Sequence, residues 1–137
     1  MSDHGPVVRR AALALALFGV ACSAPGPARD EHFAARTLTI TADGILPAPA
    51  ASLPVFGVLV FRNATAAPIE IRVQAPFPPC AQCSTVLGFQ DEAGHGVARS
   101  VPAQGVASLC FHDAGRFPFV VKTAAGERTG SVAVGGS

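Results

Sequence analysis

The sequence predicts a small all-β domain, a sandwich or barrel of seven to eight short strands. Three observations predict it: apolar residues recur with a period of two, Gly and Pro interrupt the chain at short intervals, and no long segment beyond the N-terminus carries a helical stripe. Half of the 137 residues are hydrophobic and 14% are charged, so the chain has enough apolar surface to offset the entropy of folding.

The predicted strands follow in order. Residues 37–41 and 69–74 alternate between apolar and polar side chains, and in the second segment Ile69, Ile71 and Val73 should face inward. Residues 55–61 form a continuous apolar run that is typical of a buried strand. The remaining strands are predicted at residues 85–89, 97–101, 106–112, 117–121 and 131–134.

The N-terminus has the pattern of a targeting segment. Arg9 and Arg10 precede an apolar run over residues 11–21, which is shorter than the roughly 20 residues that span a bilayer. Residues 1–21 are therefore predicted to be a signal peptide that directs export. Gly, Pro and charged residues without a sustained period follow, so residues 22–35 are predicted to be a tether and residues 36–137 the folded domain.

The end of this signal, Phe18-Gly19-Val20-Ala21-Cys22, resembles the bacterial lipoprotein signal. The resemblance implies that Cys22 is lipidated, becomes the new N-terminus and anchors the chain to a membrane on the periplasmic side of the bacterial cell envelope. Gly19 departs from the usual Leu of that signal, and ordinary cleavage near Ala24 is the alternative.

Charge and motif content exclude several functional classes. The formal net charge is +1 and no basic stripe is present, so nucleic acid is not an expected partner. The acids Asp91, Glu92 and Asp113 fall in predicted turns without a nucleophile or base beside them, and no serine lies in a nucleophile elbow. An enzyme is therefore the least supported class. Asn63 is interpreted as a turn residue at the end of a strand.

The order of several segments resembles the cupredoxin family over residues 37–134. These segments are Phe61-Arg-Asn63, the alternating residues 69–73, Gly105 with residues 106–111, Ala114-Gly115-Arg-Phe117-Pro-Phe119, and Gly130-Ser-Val132-Ala-Val134. The resemblance implies an antiparallel Greek-key β-sandwich.

The same resemblance implies that the copper site of the family is not retained. A blue-copper centre uses two imidazoles, a thiolate and a weak axial thioether. Ile69 stands where the first histidine would fall, and Val121 stands where the cysteine would fall. No histidine or methionine lies between Val121 and Gly130.

A different set of soft ligands is present in the predicted domain. Cys80 and Cys83 are close enough in sequence to chelate one ion, and Cys110 and His112, two residues apart on a predicted strand, project from one face. Since Leu109 and Phe111 should face the core, this pair should point away from it. Three thiolates and an imidazole suit a soft metal ion, with copper favoured by the envelope setting and the cupredoxin resemblance, and zinc as the alternative.

Two other states of these cysteines stay open. In an exported protein, a disulfide between Cys80 and Cys83, or between one of them and Cys110, would leave a non-catalytic structural or interaction domain that lost its metal site. A redox dithiol at Cys80 and Cys83 would need a helix N-terminus that the surrounding residues do not predict. The sequence identifies no protein partner.

Overall fold

The computed structural model of the protein describes residues 34–75 and 86–136, and every regular element in those ranges is a β-strand. All of these residues belong to one unit of the chain, Glu31–Ser137. The ten strands are β1 (Ala35–Ile40), β2 (Ile45–Leu46), β3 (Ala50–Leu53), β4 (Gly57–Asn63), β5 (Ile69–Val73), β6 (Gln90–Glu92), β7 (His95–Val101), β8 (Val106–Phe111), β9 (Gly115–Thr123) and β10 (Gly126–Val134). The described ranges hold no helix with the length and apolarity to span a bilayer.

The strands form two sheets. One has the order β2-β1-β4-β8 and the other the order β3-β10-β9-β5-β7-β6. Most neighbours are antiparallel, but β1 runs parallel to β4, and β3 runs parallel to β10. Both sheets are therefore mixed. The all-β class is confirmed.

The strand number exceeds the predicted seven to eight. The additional strands β2, β3 and β6 are two to four residues long, which is too short for a period of two to be visible. Conversely, the described part of the strand predicted at residues 85–89 makes only an isolated bridge, between Leu87 and Ser108.

The two faces of β5 separate apolar from charged residues as the alternation predicts. Ile69, Ile71 and Val73 are buried. On the opposite face, Glu70 Oε1 lies 3.7 Å from a guanidinium nitrogen of Arg72 and 3.7 Å from the ammonium nitrogen of Lys122. This outer face of the larger sheet therefore carries charge pairs that span neighbouring strands.

The core lies between the sheets and is centred on aromatic rings. Phe61 on β4 is fully buried, and its ring meets that of Phe119 on β9 edge to face, with the centroids 5.2 Å apart. The ring of Phe89 also packs near the Phe61 ring, with the two centroids 6.1 Å apart. These contacts join the two sheets, since β4 and β9 belong to different ones.

The sandwich has two ends, which we name after a residue at each. At the first, which we name the Cys110 end, β1 and β4 begin and β8 ends, and the Phe56 amide donates to the Phe111 carbonyl at 2.6 Å. At the second, the Asn63 end, β1 and β4 finish, and the Asn63 amide donates to the Gly105 carbonyl at 2.9 Å.

The predicted signal peptide and nearly all of the predicted tether lie outside the described residues.

Candidate functional site

Strand β8 places the predicted ligand Cys110 near one end of the sandwich. In its pairing with β4, Leu109 lies opposite Leu59 and Cys110 lies opposite Val58. Leu109 and Phe111 belong to the core, as their alternation predicted, whereas Cys110 lies on the other face of the sheet. Cys110 is nevertheless buried, with 6% of its surface exposed.

Cys110 is disulfide-bonded. Its Sγ also lies 3.7 Å from the Phe56 carbonyl oxygen, a contact that ties β8 to the turn before β4. Cys22, Cys80 and Cys83 all fall outside the described residues, and so does the bonded partner. In this state the Cys110 sulfur is not a free thiolate, which is the form in which a cysteine ligates a metal ion.

His112 follows β8 directly and is paired with its neighbour. Its Nδ1 lies 3.4 Å from the Asp113 carboxylate, and the two side chains are 29% and 59% exposed. The carboxylate can orient the ring and leave the other imidazole nitrogen available to a ligand, as carboxylates hydrogen-bonded to ligating histidines do at metal sites.

Cys110 and His112 share the lining of one small cavity. Its volume is about 10 Å³, which is room for roughly one water molecule. The lining is formed by Ala75, Cys110, Phe111, His112, Asp113 and Phe117. The structure therefore brings together two of the four predicted ligands, and the other two, Cys80 and Cys83, lie outside the described residues. Within residues 34–75 and 86–136, no three His, Cys, Asp or Glu residues are grouped as a metal site.

A wider open cleft lies at the opposite end of the sandwich. Its volume is about 720 Å³, and Asp43, Leu46, Glu127 and Arg128 are among its lining residues. Arg128 donates to the Ala42 carbonyl at 2.5 Å. The lining of this cleft contains neither histidine nor cysteine.

Asn63 has a larger structural role than its sequence neighbourhood predicts. It is fully buried, and its Nδ2 donates to the carbonyls of Ala67, Val101 and Pro102 at 2.8, 3.0 and 3.1 Å. The signal that could have indicated this role is the Asn-x-Thr spacing, because Thr65 also donates to Asn63 Oδ1, at 2.7 Å.

Comparison with known proteins yields structural matches. No family model and no curated protein matches the sequence. Solved structures of amicyanin do match. The Cu(I) form of one single-residue variant has a TM-score of 0.52 at 19% identity and covers 73% of this chain and 81% of its own. The Cu(I) form of a second variant gives 0.51 at 20% identity with the same coverage. The oxidized form of a third variant has a TM-score of 0.50 at 19% identity, and the match covers 78% of this chain and 87% of the amicyanin chain.

The domain has a cupredoxin-like fold. This confirms the resemblance that the sequence suggested, and at these identities the likeness concerns the fold alone. The positions at which the cupredoxin resemblance placed copper ligands are occupied by packing residues. Ile69 and Val121 are both buried in the core, on the adjacent strands β5 and β9.

The hairpin between β9 and β10 agrees with this observation. Thr123 pairs directly with Gly126, so the connection is the two-residue turn Ala124-Ala125. These residues offer no imidazole, thiolate or thioether, and the cupredoxin-type copper centre does not fit here.

Proposed function

We propose that this chain is an exported, lipid-anchored protein of the bacterial cell envelope whose cupredoxin-like domain binds one soft metal ion when its cysteines are reduced. Copper is favoured, and zinc is the alternative, because thiolate and imidazole ligands suit both ions. The proposed ligands are Cys80, Cys83, Cys110 and His112, and the proposed anchor is Cys22.

The observation that carries the proposal is the position of Ala75. This residue lines the same cavity as Cys110 and His112, and it is the last described residue before the segment that contains both remaining cysteines. On the far side of that segment, the Leu87 amide donates to the Ser108 carbonyl at 3.0 Å, two residues before Cys110 on β8. Both ends of the segment are thus fixed close to Cys110.

Chain length then limits how far the two cysteines can lie from the cavity. A residue spans at most about 3.6 Å, so Cys80 lies within about 18 Å of Ala75, and Cys83 lies within about 14 Å of Leu87. Because the cost of closing such a short loop is small once both ends are fixed, folding would contribute most of the organisation that a four-ligand site needs. The Cu(I) forms of amicyanin are an example of copper binding on this fold.

The disulfide at Cys110 favours a second candidate function. A non-catalytic structural or interaction domain would use this bond only to hold β8, and it would need no metal. The two candidates differ in what reduction does: it creates the metal site in the first and only weakens the fold in the second.

Metal titration of the reduced protein separates the two candidates. Free thiols are counted first, and Cu(I) and Zn(II) are then titrated anaerobically against a competing chelator. We expect one ion per chain, with affinity lowered by an order of magnitude or more in Cys110→Ser and in His112→Ala. His95→Ala is the matched control for loss of an imidazole elsewhere. No binding by the reduced parent, or binding that survives Cys110→Ser unchanged, would leave the structural candidate.

The anchor is tested separately from the metal. Protein made in a bacterial host should partition into the detergent phase, and Cys22→Ser should move it to the aqueous phase, because the acyl chain supplies the apolar surface. A parent protein that already partitions as a water-soluble chain would reject lipidation at Cys22.

A further inference from the structure

The turn between β3 and β4 exposes two large apolar side chains at the Cys110 end. Val55 is 37% exposed and Phe56 is 43% exposed. Phe56 has a φ of +66°, in the left-handed region that residues with a bulky side chain seldom adopt. Two backbone hydrogen bonds maintain it: the Phe56 amide donates to the Phe111 carbonyl at 2.6 Å, and the Gly57 amide donates to the Pro54 carbonyl at 2.9 Å. The fold thus keeps an aromatic ring at the surface at a conformational cost.

The chain joins the domain beside this turn. The Val58 amide donates to the Ala34 carbonyl at 2.9 Å, so the residue before β1 lies against the second residue of β4. Cys22 precedes Ala34 by only twelve residues. A flexible chain of that length has an end-to-end distance of about 20 Å, so an anchored Cys22 would hold this end of the domain close to the bilayer.

We infer that the Val55–Phe56 turn is a contact site for the membrane surface, and that the Cys110 end of the domain faces the bilayer. The inference rests on the lipidation at Cys22 proposed above. The Val55 and Phe56 side chains enter the boundary between headgroups and acyl chains, where apolar side chains lose their contact with water.

The composition of the chain allows a direct test, because it contains no Trp and no Tyr. Phe56→Trp therefore introduces a single fluorophore. The lipidated full-length chain carrying this substitution is reconstituted into vesicles of phosphatidylethanolamine and phosphatidylglycerol, with and without brominated acyl chains. Val106→Trp is the matched control, because Val106 is 45% exposed and lies at the Asn63 end. Far-UV circular dichroism verifies that both variants are folded.

We expect at least twofold stronger quenching by brominated lipid, and a blue-shifted emission, for Phe56→Trp relative to Val106→Trp. Val55→Trp should behave like Phe56→Trp, which covers the case in which tryptophan at the left-handed position disturbs the turn. Vesicle-bound protein with equal quenching at both ends would overturn the orientation while leaving the anchor intact. Protein that does not float with vesicles would reject the lipid anchor and the orientation together.

Discussion

Asn63 Nδ2 lies 3.0 Å from the carbonyl oxygen of Val101, a residue 38 positions further along the chain. This hydrogen bond joins the last residue of β4 to the last residue of β7, and so links the two sheets at the Asn63 end. Asn63 is fully buried, and its hydrogen bond to the Val101 carbonyl is buried with it.

Asn63→Ala should therefore lower the free energy of unfolding by about 1–3 kcal/mol, since the buried Val101 carbonyl would lose this donor. Thr65→Ala, which removes one partner of Asn63 at the edge of the network, should cost about 1 kcal/mol or less. Urea unfolding followed by far-UV circular dichroism suits a chain without Trp. Equal stability of Asn63→Ala and the parent would show that the network contributes nothing.

Gly130 is predicted to tolerate no side chain. It pairs directly with Phe119 across β9 and β10, and a Cβ atom at Gly130 would collide with the Phe119 ring and with the Pro49 carbonyl oxygen. Gly130→Ala should therefore destabilise the domain by about 1–3 kcal/mol through displacement of that core ring.

Gly44→Ala is the matched control, since its added Cβ would have no neighbour within 4 Å. We expect its unfolding midpoint to equal that of the parent. The same midpoint for both variants would contradict the role of close packing at Gly130.

The charged outer face should contribute stability that depends on salt. Glu70 lies within 3.7–3.8 Å of Arg72, Arg99 and Lys122. Glu70→Gln should cost about 0.5–1 kcal/mol at low ionic strength and less as salt screens these pairs. Glu127→Gln, at an exposed position near the cleft, is the control, and an equal loss in both variants at every salt concentration would argue against the network.

The Cys110 disulfide should stabilise the oxidized domain. Reduction of the parent is expected to lower its free energy of unfolding by about 2–4 kcal/mol, the typical contribution of a native disulfide. Cys110→Ser should match the reduced parent and should not respond to a reductant. Unfolding midpoints with and without reductant test this, and a parent whose midpoint is the same in both conditions would refute it.

Local sequence patterns were sufficient to predict the strands in which apolar residues recur with a clear period of two. The alternation in β5 and β8 predicted which residues face the core, including Leu109 and Phe111 inward and Cys110 outward. The short strands β2 and β3 could not be predicted in this way, because their pairing partners, rather than their own residues, determine them.

The sequence predicted only the part of the candidate metal site that lies on a single strand. Cys110 and His112 were found from their spacing on β8. The disulfide state of Cys110 is a long-range property, since its partner is distant in sequence, and spacing left several pairings open. The same reason explains Asn63 and Phe56: the carbonyls that hold them belong to residues far along the chain.

The position of β1 inside its sheet has a mechanical consequence. This strand lies between β2 and β4, and it runs parallel to β4 over six residue pairs. A pull on the chain before Ala34, directed away from the Cys110 end, would load the β1–β4 hydrogen bonds together in shear instead of opening them one after another from an edge. The attachment of the domain to its tether should consequently resist force well, whatever holds the other end of that tether.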